Sequence, residues 1–146
     1  MSRDVLNILL VEDDAEDALI TKMVLQKAKV PNRLFVLKDG REALNFLYRR
    51  RRYSGDGKAP RPGLILLGLD LPTVNGMEVL RRLKSNKSLR RIPVTIIARS
   101  DRQEDVVKSY DLGANSYIHK PLDFDKFVRT IRSFYRYWTA LAKLPS

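Results

Sequence analysis

The chain has 146 residues, of which 44% are hydrophobic and 31% charged, and its formal net charge is +11. This length and composition predict one globular domain over residues 1–146 with a real hydrophobic core, and they exclude a disordered chain. No apolar run approaches the roughly 20 residues needed to cross a bilayer, and the absence of cysteine excludes disulfides and thiolate metal sites. We therefore expect a cytoplasmic protein with no membrane partner.

Strands and helices alternate along the sequence. Apolar runs predict five strands, at residues 5–11, 32–38, 64–69, 92–98 and 115–120. A helix is predicted after each strand, and the five helices begin after Asp14, at Gly40, after Gly76, at the capping-box pattern of Asp101 and Glu104, and after Asp123. The first is expected to run to about residue 29 and the second to residue 50. Strands that are apolar throughout are buried on both faces, so we predict a doubly wound α/β domain with a five-stranded parallel sheet.

Charged residues follow the predicted strands at the edge where such folds place their functional sites. Glu12, Asp13 and Asp14 follow the first strand, and Lys120 ends the fifth. Carboxylate oxygens suit a divalent cation such as Mg2+. Two interpretations remain open from these residues: a metal site, or a structural cluster in which Lys120 neutralises two carboxylates.

Four motifs occur in order along the chain: "ILLVEDD", "LDLPTVNGMEVL", "IPVTIIARSD" and "GANSYIHKP". Together they resemble the response-regulator receiver domain (CheY-like), over essentially the whole chain and with its flavodoxin-like fold. The tail "YRYWTALAKLPS" resembles that of the single-domain response regulators of bacterial and cyanobacterial phytochromes. The resemblance implies a non-enzymatic signalling module of a two-component phosphorelay, without an output domain, whose partner is a phytochrome-like histidine kinase.

The same resemblance assigns roles to individual residues. Glu12 and Asp13 take the metal-binding positions, Lys120 contacts the phosphoryl group, and Tyr117 is the aromatic switch residue. In this family X-Pro steps such as Lys120–Pro121 are commonly cis, a linkage for which cis costs only roughly 0.5–1 kcal/mol. We therefore expect a cis bond there that aims the lysine toward the acidic pair.

Two positions depart from the family pattern. The phosphoacceptor position is Gly68, and the switch hydroxyl position is Ala98. Glycine supplies neither a nucleophile nor a third carboxylate, so any Mg2+ bound by Glu12, Asp13 and the Asp70 backbone carbonyl is expected to be held weakly. We therefore expect a receiver that is phospho-null or works without phosphorylation.

Asp70 is the alternative acceptor. Pro72 lies four residues after Gly68 and Gly76 eight residues after it, as the motif requires, whereas both are two short when counted from Asp70. Asp70 is also displaced by roughly 6.5 Å along the strand direction from residue 68. A flexible loop could narrow that gap, so phosphorylation at Asp70 remains a second hypothesis.

Aromatic residues continue past the predicted end of the sheet in the last helix. Phe134, Tyr135, Trp138 and Leu141 are expected to be exposed in a monomer and to form a symmetric homodimer through helix four, strand five and helix five. The alternative is that the aromatic side chains fold back onto their own sheet.

Basic residues are concentrated at Arg49–Arg52 and again between residues 81 and 91. They are either a solvated surface or the binding surface of a phosphate-independent adaptor for nucleic acid or another acidic partner. Because no nucleic-acid motif with interleaved aromatic residues accompanies them, nucleic acid is not the expected partner.

Overall fold

The computed structural model describes residues 5–29 and 31–145. The strands are β1 Leu6–Val11, β2 Asn32–Leu37, β3 Leu64–Gly68, β4 Val94–Ala98 and β5 Ser116–His119. The α-helices are α1 Ala15–Gln26, α2 Gly40–Leu47, α3 Gly76–Ser85, α4 Gln103–Asp111 and α5 Phe124–Arg136. The predicted order is confirmed, although α1 and α2 each end three residues earlier than expected. Within the described ranges, no helix is long and apolar enough to cross a membrane.

All five strands are parallel, in the order β2-β1-β3-β4-β5. Alternate residues of the central strands enter two apolar clusters, one on each face of the sheet. Leu9 and Leu67 belong to the first cluster, and Leu10 and Leu66 to the second. Helices therefore cover both faces, and the fold is the doubly wound, flavodoxin-like arrangement that the apolar strands predicted.

The start of α4 differs from the prediction. The expected capping box of Asp101 and Glu104 is wrong, because Arg102 occupies the N-cap position and its side chain caps nothing. Ser100 organises this turn instead. Its hydroxyl accepts a hydrogen bond from the Arg102 N–H at 3.2 Å and donates one to Asp105 Oδ2 at 2.6 Å.

The aromatic residues of the last helix also differ from the prediction. Phe134 and Tyr135 are each only 6% exposed and pack in the cluster that contains the central strands, so their expected exposure is wrong. The reason is that α5 lies along the sheet as far as these residues, where Asn32 of β2 donates a hydrogen bond to the Tyr135 hydroxyl at 3.2 Å. Trp138 is half-buried, and Leu141, at the end of a π-helical turn, is 75% exposed.

Candidate functional site

A buried lysine–carboxylate cluster lies at the carboxyl ends of the strands. Lys120 Nζ donates hydrogen bonds to Glu12 Oε1 at 2.7 Å and to Asp17 Oδ2 at 3.0 Å. Glu12 is 4% exposed and Lys120 7%, while Asp13 points to solvent. The geometry is that of the structural cluster in which Lys120 neutralises two carboxylates, but the second carboxylate is Asp17 and not Asp13.

The strand order explains why Lys120 can reach Glu12. β3 and β4 lie between β1 and β5, and they end at Gly68 and Ala98. Gly68 has no side chain, and the side chain of Ala98 is a single methyl group. No bulky group at those strand ends therefore separates the ammonium group from the carboxylate.

Burial and hydrogen bonding set the protonation of the cluster. Burial raises the pKa of Glu12, and the hydrogen bond from Lys120 opposes this shift without cancelling it. Burial acts against the charge of Lys120, but its hydrogen bonds to Glu12 and Asp17 outweigh that effect and raise its pKa above 10.5. Lys120 is therefore a permanent cation at neutral pH.

The beginning of α1 contributes Asp14 as well as Asp17 to the cluster. Asp14 caps the helix by accepting a hydrogen bond from the Asp17 N–H, which lowers the pKa of Asp14, and its own N–H donates to Glu12 Oε2 at 3.2 Å. The Arg99 guanidinium lies 3.6 Å from the carboxylates of both Asp14 and Asp17. The cluster thus carries two cations of its own.

Asp17 and Arg99 are site residues that the sequence interpretation missed. A signal for Asp17 existed, because it lies three residues after the N-cap Asp14 and so in the first turn of α1. That turn starts at the same strand end as Glu12. Arg99 directly follows β4, and its position beside α1 depends on the path of a loop that no local pattern fixes.

The donor set does not fit a resident Mg2+ ion. In the part of the chain that the structure describes, no group of three or more Asp, Glu or His residues is placed to hold a metal. Both carboxylate oxygens of Glu12 accept hydrogen bonds, and Asp13 and Asp70 are exposed. Gly68 adds no carboxylate, whereas Mg2+ prefers an octahedral shell of oxygen ligands.

Gly68 is not required by the backbone. Its φ lies outside the left-handed region, and a Cβ there would lie 3.1 Å from the Val11 carbonyl oxygen and 3.3 Å from Leu71 Cδ2. Both the Val11 backbone and the Leu71 side chain would therefore have to move by a few tenths of an ångström to accommodate a side chain. Gly76 is different, because a Cβ there would lie 2.1 Å from the Gly68 carbonyl oxygen. Close packing requires glycine at residue 76, whereas a Cβ at residue 68 would make a tight contact that small movements can relieve.

Tyr117 and Ala98, the two positions at which the resemblance predicts switch residues, lie beside this cluster. The Tyr117 hydroxyl donates to the Ser100 carbonyl oxygen at 2.7 Å, and the partial burial of this tyrosine raises its pKa. Lys120 N–H donates to the Ala98 carbonyl oxygen at 2.7 Å. The peptide bonds of the described residues are all trans, so the expected cis bond at Lys120–Pro121 is wrong. Lys120 reaches its carboxylates from a trans peptide.

Known proteins match this chain over almost its full length. The family model "Response regulator receiver domain" matches residues 8–132. Response regulator Rcp1 of Synechocystis sp. is 36% identical over 95% of this chain and 92% of its own, and the structure of its Mn2+-bound form gives a TM-score of 0.92 over 97% of this chain and 99% of that one. The phosphorylated cyanobacterial phytochrome response regulator RcpA is 36% identical, with a TM-score of 0.93 over 98% of this chain and 100% of that one. The bacteriophytochrome response regulator RtBRR is 41% identical, with a TM-score of 0.75 over 97% and 85%.

Proposed function

Because the chain belongs to the response regulator receiver domain family, we propose that it is a module of phytochrome signalling that a histidine kinase recognises without phosphorylating it in the usual way. The similarity to RcpA and RtBRR, which are phytochrome and bacteriophytochrome response regulators, supports the first part. Gly68 carries the second part, because it places no carboxylate at the end of β3.

Two features indicate that Gly68 matters for the missing phosphoacceptor and not for the backbone. The backbone at this position has an ordinary φ that does not require glycine, and a side chain would need movements of only a few tenths of an ångström by Val11 and Leu71. Ala98 at the end of β4 also lacks a hydroxyl that could bond a phosphoryl oxygen. Both ends of the family's phosphoryl switch are therefore missing from the same site.

The cations around this site are already paired with carboxylates and do not require a phosphoryl group for charge compensation. Lys120 is paired with Glu12 and Asp17, and Arg99 lies beside Asp17 as well. Tyr117 is held by its hydrogen bond to the loop after β4. We infer that the switch region rests in one conformation, which the kinase or another partner reads directly.

Phosphorylation chemistry provides the test. The parent protein, incubated with acetyl phosphate or beryllofluoride and Mg2+, should gain no adduct detectable by intact mass spectrometry. Gly68→Asp should gain one, because the new carboxylate lies at the end of β3 near Lys120. Ala98→Thr is the matched control, and alone it should gain none.

Peptide mapping covers the competing hypothesis. Asp70 lies two residues beyond the end of β3 and is exposed. An adduct mapped to Asp70 in the parent protein would overturn the assignment of Gly68 as the acceptor position. The absence of any adduct on Gly68→Asp would show that the site lacks more than its acceptor.

Metal binding should follow the same substitution. We propose that Mg2+ binds the parent weakly at most, because Glu12 is occupied by Lys120 and Gly68 adds no carboxylate to those of Asp13 and Asp70. Gly68→Asp adds a third carboxylate and should tighten Mn2+ binding measured by calorimetry. Equal affinity in parent and variant would contradict this reasoning.

We also propose a symmetric homodimer through α4, β5 and α5. Apolar side chains remain exposed on these elements: Val107 (47%) and Tyr110 (48%) on α4, and Tyr137 (51%) and Leu141 (75%) after α5. Half-buried Trp138 packs edge-on against Tyr137, with ring centroids 5.1 Å apart. Phe134 and Tyr135 no longer support this interface, because they are buried within the monomer.

A further inference from the structure

Most of the net positive charge lies at the end of the molecule opposite Glu12 and Lys120. Residues 49–63 and 84–91 contain ten Lys or Arg residues and one acidic residue, a net charge of +9 out of +11 for the chain. The first segment joins α2 to β3, and the second joins the end of α3 to β4. Both therefore lie at the amino-terminal edge of the sheet, where the Arg61 guanidinium donates to the Ser88 carbonyl oxygen.

Two adjoining cavities lie along this edge, and Arg61 and Pro62 line both. The first, of about 390 Å³, has Leu89 among its apolar lining residues. The second, of about 340 Å³, is lined by Asn7 and Arg91 among others. We call these two adjoining cavities together the amino-edge groove, which has arginines along it and apolar lining residues in both cavities.

The groove contains an unsatisfied hydrogen-bonding group. Asn7 Oδ1 is buried and has no hydrogen-bond partner among the described residues. Buried polar atoms are paired in most proteins. Asn7 is half-buried and its residue lines the smaller cavity, so a turn of its side chain toward the cavity would offer Oδ1 to a donor there. This feature is independent of the charge of the groove.

The loop beside the groove also holds a cation under backbone strain. Arg49 and Arg51 have positive φ values of 54° and 57°, a conformation that residues other than glycine rarely adopt. Arg49 has an internal role, because its Nε donates to the Ala59 carbonyl oxygen at 3.1 Å. The Arg51 side chain is exposed and makes no hydrogen bond or ion pair within the described part of the chain. It is therefore available to an anion outside the molecule.

We propose that the amino-edge groove binds an extended acidic peptide segment of a partner protein. Its acidic side chains pair with Arg61 and Arg91, an apolar side chain enters the cavity beside Leu89, and a donor of the segment bonds Asn7 Oδ1 after the Asn7 side chain turns toward the cavity. The groove is concave, so it suits a chain better than a flat bilayer. No large apolar residue is exposed in the segments 49–63 and 84–91 that could insert into lipid.

The same elements disfavour duplex nucleic acid. The elements that fit the major groove of a duplex and read its base edges are a helix or a two-stranded β-ribbon. α2 and α3 only end at this edge, and neither presents a face there. A phosphate backbone would be met by charge alone and would leave the apolar cavity and Asn7 unused.

Fluorescence anisotropy with a fluorescein-labelled peptide of alternating glutamate and leucine tests the proposal on the full chain. We expect saturable binding that weakens as salt is added, because ionic contacts at a surface are screened. Arg61→Glu with Arg91→Glu should weaken binding by about tenfold or more, since opposite charges become like charges. The matched control, Lys22→Glu on α1 with Lys27→Glu at its C-cap, makes the same change in net charge and should stay within about twofold.

Arg61→Glu could also weaken the fold, because Arg61 donates to the Ser88 carbonyl oxygen. A second variant therefore leaves Arg61 in place. Lys87→Glu with Arg91→Glu removes cations that have no hydrogen bond or ion pair within the described chain, and it should weaken binding to a similar extent while the thermal melt stays unchanged. Asn7→Leu should weaken binding by a few-fold through the lost hydrogen bond. The proposal would be overturned if Lys87→Glu with Arg91→Glu weakened binding no more than the control pair on and after α1 does.

Three further probes identify the class of ligand. The peptide with glutamine in place of glutamate should not bind, and the all-glutamate peptide should bind more weakly than the alternating one. A mixed-sequence DNA duplex or phosphatidylserine vesicles could instead bind as tightly as the peptide or more tightly, and lose that binding in the same variants. This result would overturn the proposal of a peptide ligand in favour of a general polyanion. Gly68→Asp should leave peptide binding unchanged, so this result is separate from the phosphoryl chemistry.

Discussion

Replacement of Lys120 by methionine isolates the buried ion pair. Methionine keeps most of the apolar stem and removes the ammonium group that lies 2.7 Å from Glu12 Oε1 and 3.0 Å from Asp17 Oδ2. Glu12 is only 4% exposed, so its carboxylate would remain buried without a counter-ion. Breaking such a pair costs about 3–5 kcal/mol, out of the roughly 5–15 kcal/mol that stabilises an ordinary domain.

The loss should depend on pH in a defined direction. Burial already raises the pKa of Glu12 above 4.5, and removal of Lys120 removes the interaction that opposes this shift. The folded variant then binds a proton at pH values where the unfolded chain has released it, so its stability falls as pH rises through that window. The destabilisation is therefore smallest in acid and complete at neutral pH. In the parent, the contribution of Lys120 itself is lost only as pH rises through its folded pKa, above 10.5.

Urea unfolding followed by the fluorescence of Trp138 measures the effect. With a slope of about 1–3 kcal/mol per molar urea, the midpoint should fall by roughly 2 M at neutral pH. Glu12→Gln with Lys120→Met leaves no uncompensated charge at Glu12 and should recover a large part of the loss. The reasoning is refuted if Lys120→Met lies within about 1 kcal/mol of the parent, or if the double variant is no more stable than the single one.

Three other substitutions test separate features by urea unfolding and sedimentation. Gly68→Ala should change the free energy of unfolding by less than about 1 kcal/mol, whereas Gly76→Ala should lower it by about 3 kcal/mol or more, because its Cβ meets backbone; equal effects would contradict the packing argument. Asn7→Leu should stabilise the free protein by about 1 kcal/mol, and a loss of stability would mean that Oδ1 is satisfied in solution. The homodimer should tighten as salt is added, because two chains of +11 repel, and Trp138→Ala should weaken it; a species that stays monomeric at every salt concentration would remove the interface.

The sheet could be predicted because the apolar runs were unambiguous. Continuous apolar strands such as β3, bounded by glycine and proline, have one stable placement in a parallel sheet with helices on both sides. The strand order then brought Glu12 and Lys120 to the same edge. Their contact was one of the two interpretations that the sequence left open, and Lys120 bonds Glu12 directly.

The contacts that could not be predicted from the sequence depend on how far the helices lie from the sheet and how far they run along it. Asp17 replaced Asp13 as the partner of Lys120, because the first turn of α1 faces the strand ends while Asp13 turns outward. Phe134 and Tyr135 were expected beyond the sheet, and they are buried because α5 follows the sheet that far. Helical periodicity gives the face of a helix but not the length over which it is covered.

We expect the ion pair of Glu12 and Lys120 to contribute less to stability than its short distance implies. A buried pair replaced by neutral groups of similar volume is often neutral or more stable, because two charges no longer need to be desolvated. We therefore expect Glu12→Gln with Lys120→Met to approach the parent in stability. The pair also fixes the β1–α1 connection, since Glu12 accepts from the Asp14 N–H and Lys120 bonds Asp17. If the double variant matches the parent in stability but loses binding to a phytochrome-type histidine kinase, the pair positions a recognition surface; unchanged binding would show that this surface does not depend on it.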